Sequence, residues 1–193
     1  MPLCRSHPEA ALKRAYSGWM LRTDRLVLRQ WTDADREPFA LMGADPEVMR
    51  FFPSRLTEEQ SDAFVDRASL HIAKHGWGLW VVEREGEFLG FCGLSVPKFE
   101  ADFLPGVEIG WRFAEHAWGN GYATEAARAA LAYAFDVLAL PEVLSFTTVG
   151  NTRSRAVMER LGMRHVQNFD HPNIEPRHPQ RPHVLYSVSR PSG

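Results

Sequence analysis

The stretch Val107-Glu-Ile-Gly-Trp-Arg-Phe-Ala-Glu-His-Ala-Trp-Gly-Asn-Gly-Tyr-Ala-Thr-Glu-Ala126 restricts the fold more than any other part of the chain. Its opening alternates as a strand does: Val107, Ile109, Trp111 and Phe113 point one way, Glu108, Gly110 and Arg112 the other. Gly119 and Gly121 then bracket Asn120 in a turn. A helix follows at once, with Ala123, Ala127, Ala130, Leu131, Ala134 and Leu138 at helical spacing. A glycine loop feeding a helix aims several N–H groups at one spot, with the positive end of the helix dipole behind them. That makes a phosphate cradle. A P-loop needs Lys-Ser/Thr after its second glycine, and Tyr122-Ala123 stand there. A dinucleotide loop needs a third glycine where Thr124 stands.

The stretch resembles motif A of the GNAT acetyltransferases, Gln/Arg-x-x-Gly-x-Gly/Ala, whose backbone amides hold the pyrophosphate of coenzyme A. The run Trp118-Gly-Asn-Gly-Tyr-Ala-Thr-Glu-Ala126 is similar to the RimJ/RimL branch, which acetylates ribosomal-protein N-termini. One position departs: His116 fills the Gln/Arg slot. The resemblance spans about residues 21–190 and implies a mixed α/β fold. Its central sheet is mostly antiparallel, its fourth and fifth strands run parallel and splay apart, and helices flank it. The resemblance also implies that the pantetheine arm of acetyl-CoA lies between those two strands. Backbone groups of Trp111, Arg112 and Phe113 would face the arm. Gly119, Asn120, Gly121, Tyr122 and Ala123 would face the pyrophosphate, with Thr124 just inside the helix. The implied reaction is acetyl transfer to a primary amine by direct attack, with acetyl-CoA as co-substrate and no metal. For the RimJ/RimL branch the implied acceptor is a peptide N-terminal α-amine.

A second element, Asn151 with Ser154 three residues on, resembles the family's Asn-x-x-Ser and continues into Met158 and Leu161-Gly162. The resemblance gives Asn151 to the cofactor arm, Ser154 to the thioester sulfur, or Tyr186 on the last strand in its place. Asn151 also reads as a plain N-cap, its oxygen taking the Ser154 amide. Glu108 is the candidate general base, since partial burial raises a carboxyl toward a useful range. The competing readings are a structural carboxylate paired with Arg112, or water-relayed deprotonation with no dedicated base. An α-amine titrates near ~8 and a lysine near ~10.4, so freeing a lysine at pH 7 costs roughly 3 kcal/mol more. With no strong base in the sequence, an α-amine or a small amine of lowered pKa is the easier acceptor. Two other functions stay open: a non-catalytic module that senses acyl-CoA, and an antibiotic or polyamine acetyltransferase. No acidic cluster marks a site for a polycation.

A chain of 193 residues supports one domain with a real core, and is short for two. A net charge of −2 without a basic run does not suggest direct nucleic-acid binding. No apolar run approaches membrane-spanning length. The two cysteines, Cys4 and Cys92, fit a reducing, cytoplasmic setting without a disulfide. The chain is expected as monomer or homodimer.

Residues 1–19, punctuated by Pro2, Pro8, Ser17 and Gly18, read as a loose, dispensable extension before a single domain over 20–190. Leu21–Trp31 predicts the first strand, and Thr32 caps a helix of about ten residues. Ala44–Met49 predicts a second helical entry with Pro46 in its first turn. Thr57 and Gln60 form a capping box for a helix ending at Gly76. Leu79–Glu83 and Phe88–Leu94 predict a hairpin, and Pro141 ends the helix of the central stretch. Strands follow at Val143–Val149, Arg164–Phe169 and His183–Val188, with a helix over 150–162 after the first of them. Trp77, Trp80, Phe51, Phe52 and Trp118 either line an acceptor pocket or belong to the core. His71 and His75 have the i,i+4 spacing of metal ligands but no third partner, and read as a solvated helix end. The loop 170–182 carries four prolines and reads as a stiff acceptor-side segment near His171, His178 and His183, not as a metal site.

Overall fold

The computed structural model describes residues 20–191. The extension expected over 1–19 lies outside them. Among the described residues eight strands form one sheet: β1 (Leu21–Arg22), β2 (Val27–Arg29), β3 (Leu79–Arg84), β4 (Glu87–Ser95), β5 (Glu108–Phe113), β6 (Glu142–Thr148), β7 (Arg164–Asp170) and β8 (Pro182–Ser189). Among the described residues four α-helices accompany it: α1 (Arg36–Ala44), α2 (Glu58–His75), α3 (Tyr122–Asp136) and α4 (Thr152–Arg160). The strand order is β1-β2-β3-β4-β5-β6-β8-β7. Every pairing is antiparallel except β5 with β6, which α3 joins as a crossover.

The predicted first strand is two strands. Thr23 turns the chain back by accepting the Leu26 amide at 2.9 Å, so β1 pairs with β2 and every later strand shifts by one in number. The expected helical entry at Pro46 is a turn, because the Asp45 carboxylate takes the Glu47 amide at 2.8 Å and offers the backbone a local partner. The Thr57–Gln60 box caps α2, and Gly76, at φ 78°, closes it. Glu85 and Gly86, both at positive φ, make the tight turn between β3 and β4, and its twist suits the two strands. Helix α3 ends at Asp136, short of Pro141.

Strand register divides the side chains between two faces. Trp31, Phe39, Phe64 and Phe91 pack on one face under α1 and α2, with the Phe39 and Phe64 rings stacked 4.8 Å apart. On the other face Ala126, Ala127, Ala130 and Ala134 of α3 are fully buried, and their small side chains let the helix lie close to the sheet. Trp80 is core on that side, its ring 5.5 Å from Tyr133.

Candidate active site

The parallel pair is joined at one end only. Glu108 opposes Leu144, the Leu144 amide donates to the Val107 carbonyl at 2.8 Å, and the Ser145 hydroxyl donates to the Ile109 carbonyl at 2.9 Å. Among the described residues β5 and β6 form no further pair. A wedge therefore opens between them, narrow at Glu108 and wide beyond Phe113 and Thr148, with one backbone edge of β5 free toward it.

At the wide end the glycine loop meets α3. Gly119 and Gly121 sit at φ 79° and 78°, a conformation side-chain-bearing residues disfavour. Gly121 is the N-cap of α3 and supplies no side-chain cap, so the first amides of the helix lack a protein side-chain partner there. Gly119, Asn120 and Gly121 are exposed, and a Cβ at Gly119 would meet nothing within 4 Å. Uncapped amides at an open loop suit a diphosphate. The loop is stiffened from within. The Asn120 amide nitrogen donates to the Trp118 carbonyl at 3.0 Å, and the Trp118 indole donates to the Phe113 carbonyl at 2.9 Å. His116 turns to Glu87, 3.2 Å away. Thr124 is buried in the first turn.

Glu108, Gly110 and Arg112 lie on the face shared with α1 and α2, because Arg112 opposes Phe91 of that core. The Glu108–Arg112 pair of the competing reading does not form. The Glu108 carboxyl has the Ser95 hydroxyl at 3.4 Å as its hydrogen-bond partner. Burial pushes its pKa up to about 8, and the Ser95 contact lowers it only in part. Arg112 instead lies against aromatic rings, with its guanidinium carbon 4.1 Å from the Phe52 ring centre and 5.5 Å from that of Phe91. The residue as a whole is only partly buried, yet its Nε and Nη1 atoms are shut off from solvent without a hydrogen-bond partner. Burial lowers its pKa to about 10. Trp111 points to the opposite face, opposing Cys92.

Asn151 caps α4, taking the Ser154 amide at 3.2 Å while its own amide nitrogen donates to the Thr147 hydroxyl at 3.1 Å. Both residues lie at the wide end of the wedge. Tyr186 opposes Ser145 at the narrow end, on the face opposite Glu108, and its hydroxyl donates to Glu159 of α4 at 3.4 Å. The structure thus separates the two proton-donor candidates along the wedge.

Of the aromatic residues proposed as pocket, Phe52 remains on the Glu108 face over Arg112, while Trp80 is core. The loop 170–182 packs against an aromatic cluster: His171 lies 4.7 Å from Phe99, and His183, just beyond the loop, 5.6 Å from Phe169. Burial lowers the pKa of both histidines. His71 is half-buried, 4.5 Å from His75, and its pKa is lowered by burial first and the His75 charge second. Among the described residues no group of three or more metal-ligating side chains assembles. No described helix is long and apolar enough to cross a membrane.

Residues 25–164 match the acetyltransferase (GNAT) domain family. The chain belongs to the GNAT acetyltransferases. It is 38% identical over 146 residues to the uncharacterized protein YkkB of Bacillus subtilis, covering 74% of this chain and 84% of that one. It is 35% identical over 178 residues to FsC-acetyl coenzyme A-N(2)-transacetylase of Aspergillus fumigatus, covering 88% of this chain and 76% of that one. A crystal structure of a GNAT-family acetyltransferase from Bacillus anthracis superposes with a TM-score of 0.73 at 26% identity, over 89% of this chain and 98% of that one. This GNAT enzyme is an N-acetyltransferase.

Three contributors have no local signature in the sequence. Arg25 donates to the Asn120 carbonyl at 3.1 Å and to Glu125, and Thr23 donates to Glu125 at 2.6 Å, so the β1–β2 turn braces the glycine loop. Hydrogen bonds from Thr23 and Arg25 outweigh desolvation and lower the Glu125 pKa. Arg153 lies 4.5 Å from the Trp118 ring, a cation across the wide end of the wedge.

Proposed function

We propose that this GNAT enzyme acetylates a primary α-amine from acetyl-CoA by direct attack, with Glu108 as the general base. The observation that carries this is a desolvated carboxyl at the narrow end of the wedge, with a pKa pushed up to about 8 and, among the described residues, no cation paired with it. The amides of Gly119 through Thr124 hold the diphosphate, and the free backbone edge of Trp111 to Phe113 lines the arm. Bound acetyl-CoA supplies an activated acyl carbon. Glu108 takes the proton that the attacking nitrogen gives up as the N–C bond forms. As the C–S bond breaks, the hydroxyl of Tyr186 returns a proton to sulfur from the opposite face. Ser154 is the alternative donor, but it stands at the wide end.

The name of the Aspergillus relative contains both acetyl coenzyme A and N(2)-transacetylase, which supports acetyl-CoA as donor and nitrogen as the accepting atom. A peptide N-terminus, as in the RimJ/RimL branch, and a small amine remain the two acceptor classes. Isothermal titration with acetyl-CoA, followed by thiol release with N-terminal peptides and small amines, tests the reading. Binding with turnover is expected. Binding without turnover on any acceptor would favour an acyl-CoA sensor, and absence of binding would end the proposal.

A further inference from the structure

The row Glu108–Gly110–Arg112 places a carboxyl, an empty position and a guanidinium on one sheet face. A Cβ at Gly110 would meet only the Glu108 Oε1, at 3.7 Å, so the floor between the carboxyl and the guanidinium is open at that position. Alternate residues of a strand lie about 7 Å apart, so the row spans about 13 Å between its end Cα atoms. Two long side chains on such a span frame a space for a small molecule or a chain end.

Arg112 is the unexplained member. A guanidinium carries five donors, and two of its three nitrogens here are buried without an acceptor. The rings of Phe52 and Phe91 lie near its guanidinium carbon and supply no acceptor for its Nε and Nη1 donors. Among the described residues it forms no ion pair with a carboxylate, while other arginines are paired: Arg29 with Asp35 and Glu83, Arg36 with Asp62 and Asp66. A buried cation without a counter-ion is costly, and an incoming anion removes that cost. The side chain stands on the face opposite α3, away from the glycine loop, so the diphosphate is not that anion.

We propose that Arg112 binds a negatively charged oxygen group, carboxylate or phosphate-like, of the acceptor itself, so that the enzyme selects anionic amines. The amine is held near Glu108 and the anion in the plane of the guanidinium, as bidentate recognition requires. A polyamine would meet an uncompensated cation at the same place. This inference rests on Glu108 marking the reacting end.

The test compares matched acceptors: Asp-leading against Asn-leading tetrapeptides, and free amino acids against their amides, with rates corrected for the fraction of neutral amine. The wild type should prefer the anionic member of at least one set by about tenfold or more in kcat/KM, chiefly through KM. The first set responding points to a peptide end, the second to a small molecule. Arg112→Met should reduce the preference to about threefold or less, and Arg112→Lys, which keeps the charge but loses the fork, to an intermediate value. Equal rates for both members in the wild type would overturn the proposal, as would a variant that slows both in proportion or weakens acetyl-CoA binding instead. Should no acceptor turn over, acetate and inorganic phosphate decide the matter alone. A melting temperature they raise in the wild type but not in Arg112→Met supports anion capture even though the proposed reaction has failed, and no difference between the two proteins refutes it.

Discussion

The Arg25 guanidinium meets the Glu125 carboxylate at 2.6 Å, linking a turn near the start of the domain to the first turn of α3. The same guanidinium reaches the Asn120 carbonyl at 3.1 Å. As a partly exposed ion pair it contributes at most about 1 kcal/mol to stability. Its greater effect is on the loop. Arg25→Ala should weaken acetyl-CoA binding by about tenfold in isothermal titration with little change in melting temperature, since displacement of a binding loop costs more than the pair itself. A fall in melting temperature with unchanged affinity would show that the brace serves only the fold.

Gly121 takes φ 78° with its nearest potential Cβ neighbour, Arg25 Nη2, 3.8 Å off. Gly121→Ala should therefore cost about 1–2 kcal/mol through backbone strain alone. Gly121→Glu adds bulk and negative charge where the amides converge, and should lower acetyl-CoA affinity by about 100-fold or more. Wild-type affinity in that variant would remove the diphosphate from this loop.

Glu108 carries its proton to about pH 8 in the folded chain, against an ordinary value of 4.5. Activity should rise with pH through that value as the base becomes available, and Glu108→Gln should lower kcat/KM by about 10²–10⁴-fold. Stability runs the other way. Between pH 4.5 and 8 the folded state holds a proton that the unfolded state has released, so the wild type loses stability as pH rises. The melting temperature of Glu108→Gln should gain on that of the wild type across this window, and parallel curves would contradict a buried carboxyl.

Tyr186 stands level with Ser145 at the closed end of the wedge, while Ser154 stands at the open end. Tyr186→Phe should reduce kcat by about 10–100-fold, and Ser154→Ala by less than about threefold. Stability should barely change in the first case, because a 3.4 Å hydrogen bond is all that is lost. Turnover at saturating substrate separates the two, and the reverse ranking would return the role to Ser154.

Asp35 is buried and accepts from Arg29 at 2.7 and 2.8 Å and from Thr32 at 2.7 and 2.8 Å. Desolvation opposes ionisation, but these bonds outweigh it and hold the pKa below the ordinary 3.8. The stabilisation is complete above that value and is lost as pH falls through the lower folded value. Asp35→Ala should cost about 3 kcal/mol in denaturant unfolding at pH 7, and much less in acid.

The strand, glycine loop and helix around Gly121, the capping box at Thr57 and the hairpin turn at Gly86 were all legible because each is a local signal. Periodicity, a cap and a left-handed turn involve residues a few positions apart. Thr23 defeated the same reading: its side chain closes a tight turn inside a run that alternates like one strand. Asp45 did so again, by offering an amide a side-chain partner where Pro46 suggested a helix.

Sequence alone pointed to the family by resemblance, to a glycine loop feeding a helix and to Glu108 as a carboxyl on a strand, for those properties depend on near neighbours and backbone geometry. Only the folded chain decided what that carboxyl and Arg112 do. Their charges depend on burial and on partners brought from distant segments, and the structure gave Glu108 little besides Ser95 and gave Arg112 two aromatic faces in place of an acid.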